Sequence, residues 1–230
     1  TNDCVSVKKE PSIVSPKQQQ NALAVQAMYV SKLNNNVLGQ HADASELARV
    51  LAFKNARENI KISQQALFFK LDPYSKQILH PIPTAEGNTI QALATAIHHH
   101  VTVDIVTSNL AGMSYSSEVP ASYVEQAISN ALYSQYRSQY STLAAAQKQV
   151  SKYLNMKTIQ FSLNDPDGSK THNHDKLWIV DDRLFYIGSH NLYPSALQQF
   201  GVIIEDDNGT AISQLEQQVW NPLWNNSKPA

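Results

Sequence analysis

Two short apolar runs, Leu177–Val180 and Leu184–Ile187, are separated by Asp181-Asp182-Arg183. Runs of this length and β-propensity around a polar break predict two strands joined by a tight turn. Polar or small residues stand at fixed places around them: His174, Lys176, Asp181, Gly188, Ser189 and Asn191. At average amino-acid usage, six such residues at fixed spacing arise by chance in a chain of this length on the order of once in 10⁵ to 10⁶ chains. The fold therefore has to accommodate a hairpin that presents these side chains.

Side chains alternate faces along a strand, so His174 and Lys176 share one face, and Ser189 and Asn191 share one face. A two-residue turn at Asp182-Arg183 would set His174 opposite Asn191 and Lys176 opposite Ser189, converging four polar side chains on one patch. Asp-Arg lacks the glycine that two-residue turns favour. Histidine serves as nucleophile or general acid/base near neutral pH. Lysine and asparagine hold an anionic oxygen and the charge that develops on it. Gly188 admits a close neighbour. This is a phosphate-handling set. No cluster of carboxylates accompanies it, which argues against a two-metal hydrolase.

The spacing His-x-Lys, four residues, Asp, six residues, Gly-Ser-x-Asn resembles the phospholipase D superfamily signature at every defined position. The stretch from Tyr186 to Ser195, then Leu197-Gln198 and Phe200-Gly201, is similar to secreted bacterial phospholipase D of the Streptomyces type. So are Ile62-Ser-Gln-Gln65 and Pro222-Leu-Trp224. The resemblance runs over residues 40 to 226 and is to the C-terminal half of that enzyme. It implies an extracellular enzyme that cleaves phosphatidylcholine-like phospholipids and transfers the phosphatidyl group to alcohols. Two signatures meet in one site: one histidine attacks phosphorus, and the other protonates the leaving alcohol and then activates water or an acceptor alcohol. Lysines and asparagines hold the phosphoryl oxygens, and neither metal nor cofactor is required. This chain holds one signature, hence half a site, with His174, Lys176 and Asn191 as its catalytic residues. The partner is either an N-terminal lobe with the other signature or a second copy of this chain. With the N-terminal lobe, His174 is the general acid/base; in a homodimer it plays both roles, one per chain. The rival readings are a homodimeric single-signature nuclease and a non-catalytic binding lobe.

Composition narrows these readings. A net charge of −1 gives no global basic field to attract nucleic acid, and no stable nucleic-acid partner is expected. No apolar stretch approaches the roughly 18 residues that span a bilayer. With 42% hydrophobic and 16% charged residues, the chain reads as one globular domain with a sizeable core. Residues 1–40 read as a linker and N-terminal arm, and 41–230 as the lobe. The absence of Met at position 1 suggests a processed form or fragment. The single cysteine, Cys4, is either a free thiol or half of a bridge to another segment.

In order, Gln18–Leu33 reads as a helix or ordered arm. A helix follows from an N-cap at Ser45 to Glu58, with Leu47, Val50, Leu51 and Ala56 on one side. Asn59–Phe69 is a strand, Thr89–His100 a helix and Thr102–Ser108 a buried strand, an order that suggests a parallel pair with a crossover. Ser122–Leu154 holds two helices. Strands follow at Lys157–Leu163 and Phe200–Glu205, and Gly209-Thr210 opens a last helix to Trp220. The expected fold is an α/β sandwich, a mixed sheet with helices on both faces.

The other candidates carry weaker arguments. Asp181 suits a backbone-fixing or ion-pairing role at the turn as well as a chemical one. A working histidine wants a partner on its second ring nitrogen. The resemblance puts an acid at the position occupied here by Gln199, which leaves Gln199 or Glu205 to orient His174. Gln64 and Gln65 offer substrate contact or hydrogen bonding at the core edge. Tyr193 lines the mouth or packs. His172 and His190 flank the site, where they tune it or stand as exposed bystanders. Consecutive His98-His99-His100 cannot all face one ion and suit a helix C-terminus.

Overall fold

The computed structural model describes residues 26–32, 44–65, 84–108, 121–159, 173–192 and 198–230. Cys4, His172, Tyr193 and the proline-bearing segment at 73–83 lie outside them.

An eight-stranded mixed sheet has the order β1-β7-β6-β5-β2-β3-β4-β8. Its strands are β1 (Gln26–Lys32), β2 (Asn59–Gln64), β3 (Thr102–Thr107), β4 (Leu154–Ile159), β5 (Lys176–Val180), β6 (Leu184–Gly188), β7 (Gln199–Glu205) and β8 (Ser227–Pro229). β2, β3 and β4 run parallel, and the other pairings are antiparallel. The parallel pair read from the strand–helix–strand order is β2 and β3.

Helices cover both faces, as the sequence pattern required. On one face, α1 (Ala44–Asn55), α2 (Thr84–His98), α3 (Ala121–Gln135) and α4 (Leu143–Tyr153) bury Phe53, Leu93, Ile128 and Val150 against Ile60, Ile62, Val103, Trp178 and Tyr186. On the other, α5 (Thr210–Leu215), a π-helical turn (Glu216–Trp220) and α6 (Asn221–Asn225) pack Ile212 and Trp220 on Leu177, Ile179 and Phe185. Leu177–Val180 is buried on both faces because β5 lies mid-sheet, which explains a continuous apolar run rather than an alternating one.

Three expectations change. Gln26–Lys32 is an edge strand paired with β7, not a helix, and so belongs to the sheet rather than to a separate arm. Its Ala- and Gln-containing sequence suits a helix, but ladder pairing and the burial of Val30 prevail. In α1, Ser45 lies inside the first turn instead of capping it. The buried stripe is Ser45, Arg49, Val50 and Phe53, and Leu47 and Leu51 face outward. The polar Ser45 and Arg49 face inward because they meet a buried histidine, described below.

His98 ends α2, as read. Its ring stacks on Tyr136 at 3.7 Å and meets the Tyr140 hydroxyl at 3.2 Å. His100 turns away with φ of 67° and stacks on Tyr153. Aromatic packing accounts for the histidine run.

Candidate active site

The hairpin register differs by one residue from the expected one. Leu177 pairs with Ile187 and Val180 with Leu184, so the turn takes in Asp181, Asp182 and Arg183. Asp181 and Asp182 both have positive φ, 53° and 49°, and Arg183 N donates to Val180 O at 3.1 Å. This is a type I′ turn, with aspartates in the left-handed positions usually held by Asn or Gly. The shift sets Lys176 level with Gly188 rather than Ser189, and a one-residue shift changes which residues share a face.

Asp181 earns its place through the backbone. Its carboxylate accepts N–H bonds from Arg57, Glu58 and Asn59 at 2.8–3.1 Å. It ties the hairpin turn to the segment between α1 and β2. Lys61 adds a second tie, bridging Asp182 and Glu216. Burial alone would lower the Lys61 pKa, but the two carboxylates raise it overall.

His174 and Lys176 sit at the opposite end of β5, where β2 and β3 have their C-terminal ends. Crevices at such ends are favoured binding places in α/β sheets. His174 is exposed. Lys176 is 8% exposed, and its Nζ donates to the His174 carbonyl at 2.7 Å. Burial pulls the Lys176 ammonium below the usual lysine pKa, and the Asp175 carboxylate offsets part of that shift.

A polar brace holds this segment from the other face. Asn173 Nδ2 donates to Ser63 Oγ at 2.9 Å, Ser63 Oγ donates to Asp175 Oδ2 at 2.9 Å, and Asp175 N donates to Asn173 Oδ1 at 2.8 Å. Ser108 Oγ donates to the Asn173 carbonyl at 3.0 Å. Ser63 is level with Leu177, so Asn173 and Asp175 meet it on the Leu177 face of the sheet, away from Lys176. Sequence reasoning missed this brace. Its only signal was that two polar residues alternate with the signature pair.

β6 ends at Gly188, and the chain then turns. Ser189 N and Oγ both donate to Phe200 O, and Phe200 N donates to Ser189 Oγ at 3.0 Å. The Ser189 hydroxyl is thus engaged with β7 and does not stand opposite Lys176 as expected. Asn191 is 5% exposed, and its Oδ1 has no hydrogen-bond partner among the described residues. Gln64, fully buried, is the register neighbour of Lys176. It accepts from Leu192 N through Oε1 at 3.4 Å. Gln64 therefore links the lysine strand to the segment that carries Asn191. Gln65 lies just past β2, and its carbonyl accepts from Ser108 N.

Gly188 and Gly201 face each other across β6 and β7. A Cβ on either would run into the Tyr186 side chain. Gly188 thus accommodates a side chain of its own strand. Tyr186 is 1% exposed and stacks on Trp178. Its hydroxyl accepts from His190 N at 3.1 Å. His190 is buried rather than exposed, because the start of α1 covers it. Its Nδ1 lies 2.7 Å from Ser45 Oγ and 3.5 Å from Arg49 Nη1. Arginine only donates, which makes Nδ1 the acceptor there. Arg49 also donates to Thr89 Oγ1. Tyr186, His190, Ser45 and Arg49 were not recognised as support for this loop.

Of the two orienters expected for His174, Glu205 is ruled out by position. It pairs with Leu184 at the turn end of the sheet and binds Arg183 at 2.9 Å. β7 runs antiparallel to β6, so its last residue lies farthest from the site. Gln199, at the start of β7, lies at the same end of the sheet as Lys176, 4% exposed and with Oε1 free of hydrogen bonds among the described residues. Among the described residues no group of three or more His, Cys, Asp or Glu could hold a metal ion.

A family pattern described as "Cardiolipin synthase, PLD-like domain" matches residues 50–224. The chain is 32% identical over 184 residues to the protein named Phospholipase D of Streptomyces antibioticus, a match that covers 76% of this chain and 31% of that protein. Its fold is similar to that of Nuc from Salmonella typhimurium, a phospholipase D family member (TM-score 0.53, 18% identity, 90% of this chain and 98% of that one). It is also similar to phosphatidylserine synthase of Haemophilus influenzae Rd KW20 (0.56, 15%, 90% and 40%). A third similar structure is NucT from Helicobacter pylori (0.52, 11%, 90% and 99%). With the family pattern over most of its length, the signature on its sheet and this fold, the chain belongs to the phospholipase D superfamily, a superfamily of phosphodiesterases.

Proposed function

We propose that this chain supplies one half of a phospholipase D-type site that cleaves phosphatidylcholine-like phospholipids to phosphatidic acid and the free alcohol. The observation that carries this reading is the arrangement at one sheet end: exposed His174 beside Lys176, with Asn191 joined to the same place through Gln64 and Leu192. A ring nitrogen of one histidine forms a bond to phosphorus as the bond to the leaving alcohol breaks. The second histidine gives that alcohol its proton. Water, or an acceptor alcohol, then attacks phosphorus, losing its proton to the second histidine, and the phosphohistidine bond breaks. Lys176 and the Asn191 amide stabilise the charge on the phosphoryl oxygens. The two histidines come from two signatures: when the other signature lies in an N-terminal lobe, its histidine is the nucleophile and His174 takes the acid/base part.

The substrate class rests on the relative named Phospholipase D. Two further features favour lipid over nucleic acid: a net charge of −1 and an exposed apolar strip toward this end of the sheet, on the face opposite Lys176. Tyr29 and Ile187 flank Val202 across β1, β7 and β6, with Phe200 beside them. A second reading, two copies of this chain completing one site, is favoured by the match over 98% and 99% of the Nuc and NucT chains.

The test is the native particle's mass, under reducing and non-reducing conditions, followed by choline release from phosphatidylcholine and degradation of plasmid DNA. An unlike second chain with choline release supports the first reading. Two identical chains that degrade DNA and spare lipid support the second and overturn the first.

A further inference from the structure

The segment that carries Asn191 is tethered on both sides by buried side chains. Tyr186 Oη accepts from His190 N at 3.1 Å, and Gln64 Oε1 accepts from Leu192 N at 3.4 Å. The His190 ring is held as well, with Nδ1 2.7 Å from Ser45 Oγ. Asn191 therefore stands between two tethered residues. Its own Oδ1 is buried and has no hydrogen-bond partner among the described residues. Among those residues, the bonds that place Asn191 are the ones its neighbours make. The Tyr186 tether has a slot built for it. Gly188 and Gly201 face each other on β6 and β7, and a Cβ on either would run into the Tyr186 side chain. The ring stacks on Trp178, its register partner on β5, and Trp178 meets Phe53 of α1 edge-on. A phenylalanine would fill this slot equally well. Burying a hydroxyl is costly unless it bonds, and here it bonds to the Asn191 segment.

We propose that Tyr186 is a positioning residue for Asn191: its hydroxyl holds the His190 backbone, so that the Asn191 side chain is set in place before substrate arrives. The asparagine then offers its NH2 group to a phosphoryl oxygen without first having to be ordered. Donors fixed in advance act most where charge develops, in the transition state. At 1% exposure, Tyr186 acts through His190 and Asn191 and does not touch substrate. The pair Gly188 and Gly201 serves the site at one remove, by leaving room for the ring that aims the hydroxyl. This inference rests on the phosphodiesterase reading, and its test separates the two.

The experiment is a double-mutant cycle on the native particle, with bis(p-nitrophenyl) phosphate as the probe. Tyr186→Phe keeps the ring, its stack on Trp178 and its fit over the glycines, and removes only the hydroxyl. Losing an interaction that matters in the transition state lowers kcat and leaves KM nearly unchanged, and the expected fall is roughly tenfold. Almost no further fall is expected when Tyr186→Phe is added to Asn191→Ala, because the hydroxyl acts through that amide. An unchanged kcat, or the same factor of loss in both backgrounds, overturns the proposal and returns Tyr186 to a packing role. Side-chain amide NMR gives an answer independent of turnover. The Asn191 NH2 resonances, assigned by their loss in Asn191→Ala, move or broaden in Tyr186→Phe if the hydroxyl holds the segment, and unmoved resonances refute it. A wild-type particle that lacks turnover but shows this movement on substitution disproves the phosphodiesterase reading and leaves the positioning role standing.

Discussion

Lys176 Nζ donates to the carbonyl of His174, two residues back on the same chain, at 2.7 Å. The bond holds the ammonium at the strand end beside its histidine. The Lys176 pKa is lowered by burial and partly restored by Asp175. On the proposed mechanism the cation stabilises phosphoryl charge, so activity is expected to fall as pH rises through the Lys176 pKa, which lies below the usual lysine range. Asp175→Asn keeps an acceptor for Ser63 and removes the charge. It lowers the lysine pKa further, and the alkaline limb of kcat/KM moves to lower pH. A limb that stays put or moves up contradicts the assignment. The stability consequence has the same origin. A folded pKa below the unfolded one means that the folded state binds fewer protons, so this group's contribution to stability rises with pH through that window.

Asp181 serves the fold rather than the chemistry. Asp181→Ala removes the acceptor for the N–H groups of Arg57, Glu58 and Asn59. The expected loss is about 1–3 kcal/mol of unfolding free energy, read by urea denaturation. Asp181→Asn, which keeps one oxygen, loses less. Equal stability in all three proteins contradicts this account.

Gly188 and Gly201 are constrained by different neighbours. The nearest atoms to a Cβ on Gly201 all belong to the Tyr186 ring, whereas a Cβ on Gly188 also meets the backbone of Gly201 and Phe200. Gly201→Ala should cost roughly 1–3 kcal/mol, and a Tyr186→Ala background should remove much of that added cost. Gly188→Ala should stay costly in both backgrounds, because backbone does not move aside. Thermal melts of the four variants and their parents decide this. Equal relief at both glycines refutes the distinction.

The candidate site residues His174, Lys176 and Asn191 were legible because their spacing is fixed around one hairpin. The mixed α/β sandwich followed from alternating strand and helix patterns. What was not legible lay in contacts between distant segments. The one-residue register error came from the turn: Asp181 and Asp182 take left-handed backbone that sequence assigns first to Gly or Asn. β1 was missed because its residues suit a helix and only the β7 ladder makes them a strand. Ser45 reads as a helix N-cap in the sequence, and Arg49 gives no signal there. Only the meeting of α1 with His190 shows why they point inward. Glu205 was proposed on closeness in sequence, but an antiparallel strand carries its far end away from the site.

The measurement that bears most directly on the central claim is choline release from phosphatidylcholine vesicles by the native particle, wild type against His174→Ala. His174 is exposed and its ring carries little packing, so the variant should melt with the wild type. The account predicts a loss of about 10²-fold or more in turnover with unchanged stability. Choline release within tenfold of wild type would contradict it.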